Sequence, residues 1–423
     1  MANIRDLTDK ISPGFTENVL NDILRKQSGF TNVAIKEIKF SFSSKKGDSY
    51  LSNITRFTIE GTGNSGSDKN VDFQAHIIVK SIPESQVRAK SFRSDDFFKS
   101  EIYFYNQIWP KLDAFQKSKQ LPNICDSIPR CFATYSDGKR DFIALENLSF
   151  QEFKALDRSS SGLDLDTTLF ILRNFARFHA LSVAYREQYP NEFQKWDDNL
   201  QETYFAEKFR DWYSGTFEKC CNIVKDVAEK DLPPNYLRKL EEMTSQDLFG
   251  IIGKLLKKRT PLSAVTHGDC WPPNFLMQQK NGAKKLAFID FQLCRVASLT
   301  TDILFLLYTC VDTAVLKKDW DLILKDYHEN FVKALKDLGS KLDITFDMFT
   351  EEVQTYGVFA FTMCNEALVM SLMDDDDVTD LDSLKGEDTI PLHQIWKLEP
   401  IKDLEKRKRI ADYLQHIIDH DLI

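Results

Sequence analysis

Several things this 423-residue chain lacks narrow what it can be. No stretch approaches the ~18 consecutive apolar residues of a membrane-spanning helix. The longest apolar runs, 303–307 and 358–361, are of core size. There is no excess of positive charge: 55 Lys and Arg against 64 Asp and Glu leave a net charge of −9. That balance argues against general affinity for nucleic acid or anionic membranes. The eight cysteines form no C-x-x-C pair and fit no zinc spacing, so they are expected to be reduced, mostly buried thiols of a cytoplasmic protein. Residues 1–10 carry charge throughout and contain no apolar segment, so neither a secretion signal nor a transit peptide is expected. No G-x-x-x-x-G-K-[ST] phosphate loop occurs anywhere.

What is present divides the chain unevenly. A helix is expected over 12–26, then strands over 33–42 and 50–59 around a polar turn, a Gly/Ser/Asn/Asp loop over 61–70, and a third strand over 71–80 ending on Lys80. A helix over 92–109 and a strand pair at 131–135 and 142–145 follow. Beyond Leu148 the pattern is mainly helical: 166–187, 200–225, 236–256, 318–338, 347–372 and 402–418. These patterns predict a small sheet-rich lobe, 1–145, closely packed on a large helical lobe, 146–423, with a cleft between them.

One helical-lobe segment is not helical. His267-Gly268-Asp269-Cys270-Trp271-Pro272-Pro273-Asn274 is followed by a hairpin around Asn281-Gly282, a strong two-residue turn signal, and then by Ile289-Asp290-Phe291-Gln292. The hairpin returns Asp290 to the level of Asp269. Phosphoryl transfer to a hydroxyl requires this set: a carboxylate that orients the acceptor hydroxyl and takes its proton, Asp269, and two oxygen ligands for Mg2+, Asn274 and Asp290. His267 is expected to buttress the loop. Cys270 has no partner base nearby and is a poor nucleophile candidate. Trp271 either shapes the acceptor pocket or packs the loop.

Lys80 at a strand end and Glu101 on the next helix have the order and spacing of the kinase lysine–glutamate pair, Lys80 for the nucleotide α- and β-phosphates and Glu101 to hold Lys80. Gly47, Asp48, Ser49 and Tyr50 lie in a turn whose backbone N–H groups suit phosphate oxygens. Leu145, Glu146 and Asn147 fall where the lobes join, placing backbone groups within reach of adenine. Asp302 caps the following apolar helix or braces the catalytic loop. His179 reads as a core histidine. Asp374–Asp377 reads as a solvated loop or as a rim that attracts cations.

A regulated protein kinase does not fit. Too little chain separates Asp290 from the helix at Asp302 for an activation segment, no A-P-E follows, Gly268 stands where such kinases carry Arg, and Gln292 replaces the Gly after Asp-Phe. Taken together, Lys46-Gly47-Asp48-Ser49-Tyr50, Lys80, Glu101, Leu145-Glu146-Asn147-Leu148, Phe178-His179-Ala180-Leu181-Ser182, His267 to Asn274, Ile289 to Gln292 and Asp302 resemble the ecdysteroid kinase-like family of insects, relatives of the choline and aminoglycoside kinases. Asn147 departs from the pattern, since family members often carry Asp there. The resemblance implies a bilobal protein-kinase-like α+β fold and phosphorylation, with ATP and Mg2+, of a hydroxyl on an ecdysteroid or similar apolar alcohol, by a protein expected to be monomeric. A choline- or ethanolamine-type kinase, a kinase of foreign compounds, and a silent binding protein on the same fold are the competing readings.

Overall fold

A computed structural model describes residues 4–41, 51–66, 69–119, 124–157, 162–373, 381, 384, 386 and 388–423. The turn with Gly47, Asp48, Ser49 and Tyr50, and the acidic run 374–377, lie outside the described residues. Strands β1 (Asn32–Ser41), β2 (Asn53–Asn64), β3 (Val71–Ser81), β4 (Cys131–Tyr135) and β5 (Phe142–Glu146) form one antiparallel sheet in the order β1-β2-β3-β5-β4. Side chains alternate across a strand. On β3, Ala75, Ile77 and Val79 therefore enter a core shared with Phe57, Ile59 and two N-terminal helices. His76, Ile78 and Lys80 point the other way, and Ile78 packs against the core of the helical lobe. The parity of one strand thus delivers Lys80 to the cleft.

Two expectations in this lobe need correction. The helix expected over 12–26 is Glu17–Ser28, capped by Thr16, and an unexpected helix, Ile4–Ile11, precedes it. The earlier one is hidden among charges, but Leu7 and Ile11 lie one turn apart and are both buried. The loop expected from Gly61 begins later, because β2 runs to Asn64. Gly61, Gly63 and Gly66 have G-x-G-x-x-G spacing, but the first two are strand residues packed against aromatic rings. A Cβ on Gly61 would meet the Phe73 ring at 2.9 Å, and one on Gly63 the Phe30 ring at 2.4 Å. Ile54 is the residue of β2 opposite Lys80, and Gly61 lies seven residues further on, roughly 23 Å along the strand.

The helix expected over 92–109 is Ser94–Tyr103, a π-helical turn Phe104–Ile108, and Trp109–Ser118, preceded by a short helix Gln86–Ser91. In the helical lobe, Leu165–Gln188 packs along Thr313–Asp337, with Thr300–Cys310, Gly357–Ser371 and Leu404–Asp419 in one continuous core. The helix expected from 200 starts at Arg210, because Glu202 accepts from the backbone N–H groups of Tyr204 (2.7 Å) and Phe205 (2.8 Å) and holds that stretch as a turn. The helices expected over 236–256 and 347–372 are each broken in two. The result is a bilobal α+β architecture, a small antiparallel-sheet lobe on a large helical one. Among the described residues, no helix is long and apolar enough to cross a membrane.

Candidate active site

The motif segment forms a small platform on the helical lobe. Ser263–Thr266 pairs with Arg295–Ser298, and Phe275–Lys280 pairs with Ala283–Phe288 through the turn Asn281-Gly282. Both turn residues have positive φ, 51° and 78°, as a two-residue hairpin of this hand requires. Gly268 has φ 83°, and a Cβ there would lie 2.2 Å from the Leu293 carbonyl oxygen, so only glycine fits.

Asp302 lies in the first turn of helix Thr300–Cys310, whose N-cap is Leu299, so it braces the loop rather than capping the helix. Its buried carboxylate accepts from the backbone N–H of His267 (2.6 Å) and Gly268 (2.8 Å) and pairs with His179 Nε2 (3.0 Å). Burial opposes its charge, but the bonds from His179 and His267 prevail and hold it below the ordinary carboxylate value. His179 is a satisfied core histidine, its other nitrogen 2.8 Å from the Tyr327 hydroxyl. His267 Nε2 lies 2.9 Å from the Ile289 carbonyl, and its Nδ1 accepts from the Asp269 N–H (3.2 Å). Those bonds define a neutral tautomer, and burial lowers the ring's pKa, so His267 serves as a strut. The Cys270 thiol is buried and pushed well up by burial, which leaves it unreactive.

Asp269, Asn274, Asp290 and Gln292 all line one cavity. Asp269 Oδ2 accepts from Gln292 Nε2 (3.0 Å), and Asn274 Nδ2 donates to the Asp269 carbonyl (3.0 Å), which turns the Asn274 amide oxygen away from that bond. Burial, then the charge of Asp290, raises the Asp269 pKa above its ordinary value. Asp290 has φ 68°, an uncommon conformation for a non-glycine residue, and one that occurs where the surroundings hold a side chain in a set direction. Asp290 and Asn274 offer hard oxygen ligands on one wall, and the mutual repulsion of two carboxylates is what a divalent cation would relieve, so the residues present fit Mg2+.

Lys80 Nζ lies 2.6 Å from Glu101 Oε2 and 2.5 Å from Asp290 Oδ1. Burial works against the ammonium charge, but Asp290 and Glu101 more than offset it and hold Lys80 above its ordinary pKa. The helix carrying Glu101 is tied to the Asp290 segment by Phe104 and Phe291, whose rings stack at 3.7 Å. Phe104 opens the π-helical turn, a distortion that recurs at functional sites. Where the lobes join, the Glu146 N–H donates to the Arg130 carbonyl (3.0 Å) and the Asn147 N–H to the His76 carbonyl (3.1 Å), so both amides are engaged within the protein. Leu145 is paired on both sides within the sheet. The Asn147 side chain caps the next turn through Ser149.

Sequence reasoning missed the far wall of the cavity. That open space of about 1020 Å³ is also lined by Phe92, Phe97, Tyr204, Trp212, Glu366 and Trp396, and by Trp271, for which the sequence offers a place in the pocket or in the packing of the loop. These residues come from five separate segments, and local pattern does not associate them. Glu366 alone carries a local signal: it is the single charged residue in the helix Gly357–Ser371.

Fold and site together define a kinase-like phosphotransferase of the small-molecule class. The chain belongs to the ecdysteroid kinase-like family, whose model matches residues 46–340. Among solved structures, the chain is similar to the Plasmodium vivax ethanolamine kinase (14% identity, covering 86% of this chain and 85% of that one, TM-score 0.35). It is also similar to a microcompartment-associated aminopropanol kinase (10% identity, 95% and 98% covered, TM-score 0.37) and to the GDP complex of aminoglycoside 2'-phosphotransferase-IIIa (12%, 83% and 98%, TM-score 0.36). No curated protein matches the sequence.

Proposed function

We propose that this protein transfers the γ-phosphoryl group of ATP to a hydroxyl of a bulky, largely apolar alcohol, an ecdysteroid or a compound of similar build. The observation that carries this reading is that Asp269, Asn274 and Asp290 share one wall of a cavity whose remaining lining is mostly apolar and aromatic.

The hydroxyl hydrogen-bonds to Asp269, which orients the oxygen and accepts its proton as the bond to the γ-phosphorus forms. The bond from that phosphorus to the bridging oxygen breaks, and its electron pair leaves with ADP. Gln292 keeps one Asp269 oxygen engaged, so the other is directed at the acceptor. Asp290 and Asn274 would hold Mg2+, which when bound neutralises phosphate charge. Lys80 contacts the phosphates, and Glu101 keeps it extended into the cleft. The segment 145–147 borders the nucleobase.

The test is mass spectrometry of ATP-Mg2+ reactions over a panel of ecdysteroids, choline and ethanolamine, and plant phenolic or alkaloid alcohols. The expected result is a phosphate mass gain that falls by orders of magnitude in Asp269→Asn, while nucleotide affinity changes little. Near-normal turnover in Asp269→Asn or Asp290→Ala would overturn the assignment of these residues.

A further inference from the structure

The acceptor cavity carries a second polar pole that phosphoryl transfer does not use. On its wall, Glu366 is held by the Tyr204 hydroxyl, 2.7 and 2.8 Å from its two oxygens. A phenol carries one hydrogen, so this single donor is shared between both oxygens. The Tyr213 hydroxyl lies near the carboxylate but makes no hydrogen bond. A carboxylate has about four lone-pair sites, so a single hydroxyl leaves it short of donors. No lysine or arginine lines the cavity among the described residues. Burial pushes Glu366 up to about 7, and no cationic side chain opposes that rise.

The surroundings of Glu366 are aromatic. Tyr204 meets Trp212 edge-on at 5.3 Å, and Trp212 is fixed by its indole N–H on the Ser91 carbonyl (2.8 Å). Phe97, Met363 and Met370 line the same space. Tyr204 and Asp269 line the same cavity, and Tyr204 feels the charge of both carboxylates. An aromatic chamber lined by both an under-paired carboxylate and Asp269 is complementary to a molecule that carries a positive group and a hydroxyl. Ring faces attract a desolvated cation, and a partly buried carboxylate short of donors is costly until one arrives.

Resting on the phosphotransfer reading above but departing from its neutral ecdysteroid acceptor, we propose that Glu366 with Tyr204 is the specificity anchor of the acceptor pocket, and that it selects apolar alcohols bearing a protonated amine over neutral alcohols of the same shape. The cation sits on Glu366 and the aromatic faces, and the hydroxyl is thereby presented to Asp269. Glu366 positions the acceptor and takes no part in the transfer.

The experiment uses the full chain and two probes: a bicyclic tertiary amino alcohol, and its carbocyclic analogue with CH in place of the nitrogen. Calorimetric binding and ATP-dependent phosphorylation are both measured, for the wild type, Glu366→Gln and Tyr204→Phe. The wild type is expected to prefer the amine by at least about tenfold in affinity and in kcat/KM. Glu366→Gln should collapse that ratio toward one, whereas Tyr204→Phe, which keeps the carboxylate, should retain a preference. Glu366→Gln should also unfold at a higher temperature than the wild type, since it removes a buried charge; a carboxylate with a purely structural role would instead give a lower one. Equal binding of the two probes, binding of neither, or an unchanged ratio in Glu366→Gln overturns the proposal. Phosphorylation without amine preference overturns it and leaves the kinase reading standing, while amine-selective binding without phosphate transfer does the reverse.

Discussion

Replacing Asp302 by Asn tests how the catalytic loop is held. The two side chains have nearly the same shape, so the change is electrostatic. Asp302 accepts from two backbone N–H groups and pairs with His179, all buried. An amide can turn its single oxygen toward one or two of these donors, but its NH2 then faces another donor. Hydrogen bonds to a charged group contribute roughly 1.5–3 kcal/mol each, and a buried donor left unsatisfied costs about 1–3 kcal/mol. Relief of the desolvated charge offsets part of this. The expected net loss is about 2–4 kcal/mol, a large share of the roughly 5–15 kcal/mol of a typical fold. Urea unfolding at neutral pH would measure it. The sign with pH follows from the depressed folded pKa: the stabilisation is present above the ordinary carboxylate value of 3.8 and disappears as pH falls through the lower folded value. Wild type and Asp302→Asn should therefore converge in strong acid. Turnover should also fall, by about tenfold or more, because His267 and Gly268 directly precede Asp269 and small displacements there are costly. A variant within about 0.5 kcal/mol of wild type at neutral pH, the range of an ordinary surface change, would refute the reasoning.

Three further outcomes are expected. Because the Asp269 pKa is raised by burial and by Asp290 while its base role needs the ionised form, kcat/KM should climb with pH through a limb above the ordinary Asp range; a flat profile down to pH 5 would contradict this. Glu101→Gln should raise KM for ATP by about ten- to a hundredfold, with Lys80 drawn to Asp290 alone, and nucleotide titration would reveal it. Gly268→Ala should destabilise the protein by several kcal/mol or prevent its accumulation, since its Cβ has no room beside Leu293 and its φ is positive; a thermal melt equal to wild type would count against the loop geometry.

The readable parts of the site are those where local chemistry is decisive. The turn Asn281-Gly282 sets the hairpin, and the hairpin brings Asp290 back toward Asp269. Alternation along β3 put Lys80 on the cleft side, and helical spacing put Glu101 within its reach. Where local signals conflicted, the reading slipped. Gly61 and Gly63 looked like loop residues because glycine marks turns, yet they are strand residues beneath the rings of Phe73 and Phe30. Residues 200–209 had helical character, but Glu202 captures two backbone amides there and forces a turn. Asp302 could have been cap or brace, and its partners, 34 and 35 residues earlier and 123 residues earlier in the chain, decided for brace.

The sequence by itself determined the candidate reaction centre, because Asp269, Asn274, Asp290 and Lys80, the proposed base, metal ligands and phosphate lysine, lie on short motifs whose spacing is governed by one hairpin, one strand and one helix turn. Tertiary structure alone decided the acceptor chamber. Tyr204, Trp212, Glu366 and Trp396 are spread over nearly 200 residues and meet only because packed helices enclose a space. A carboxylate's environment depends on which neighbours exclude water from it, and burial of this kind is a property of the packed fold, carried by no local pattern.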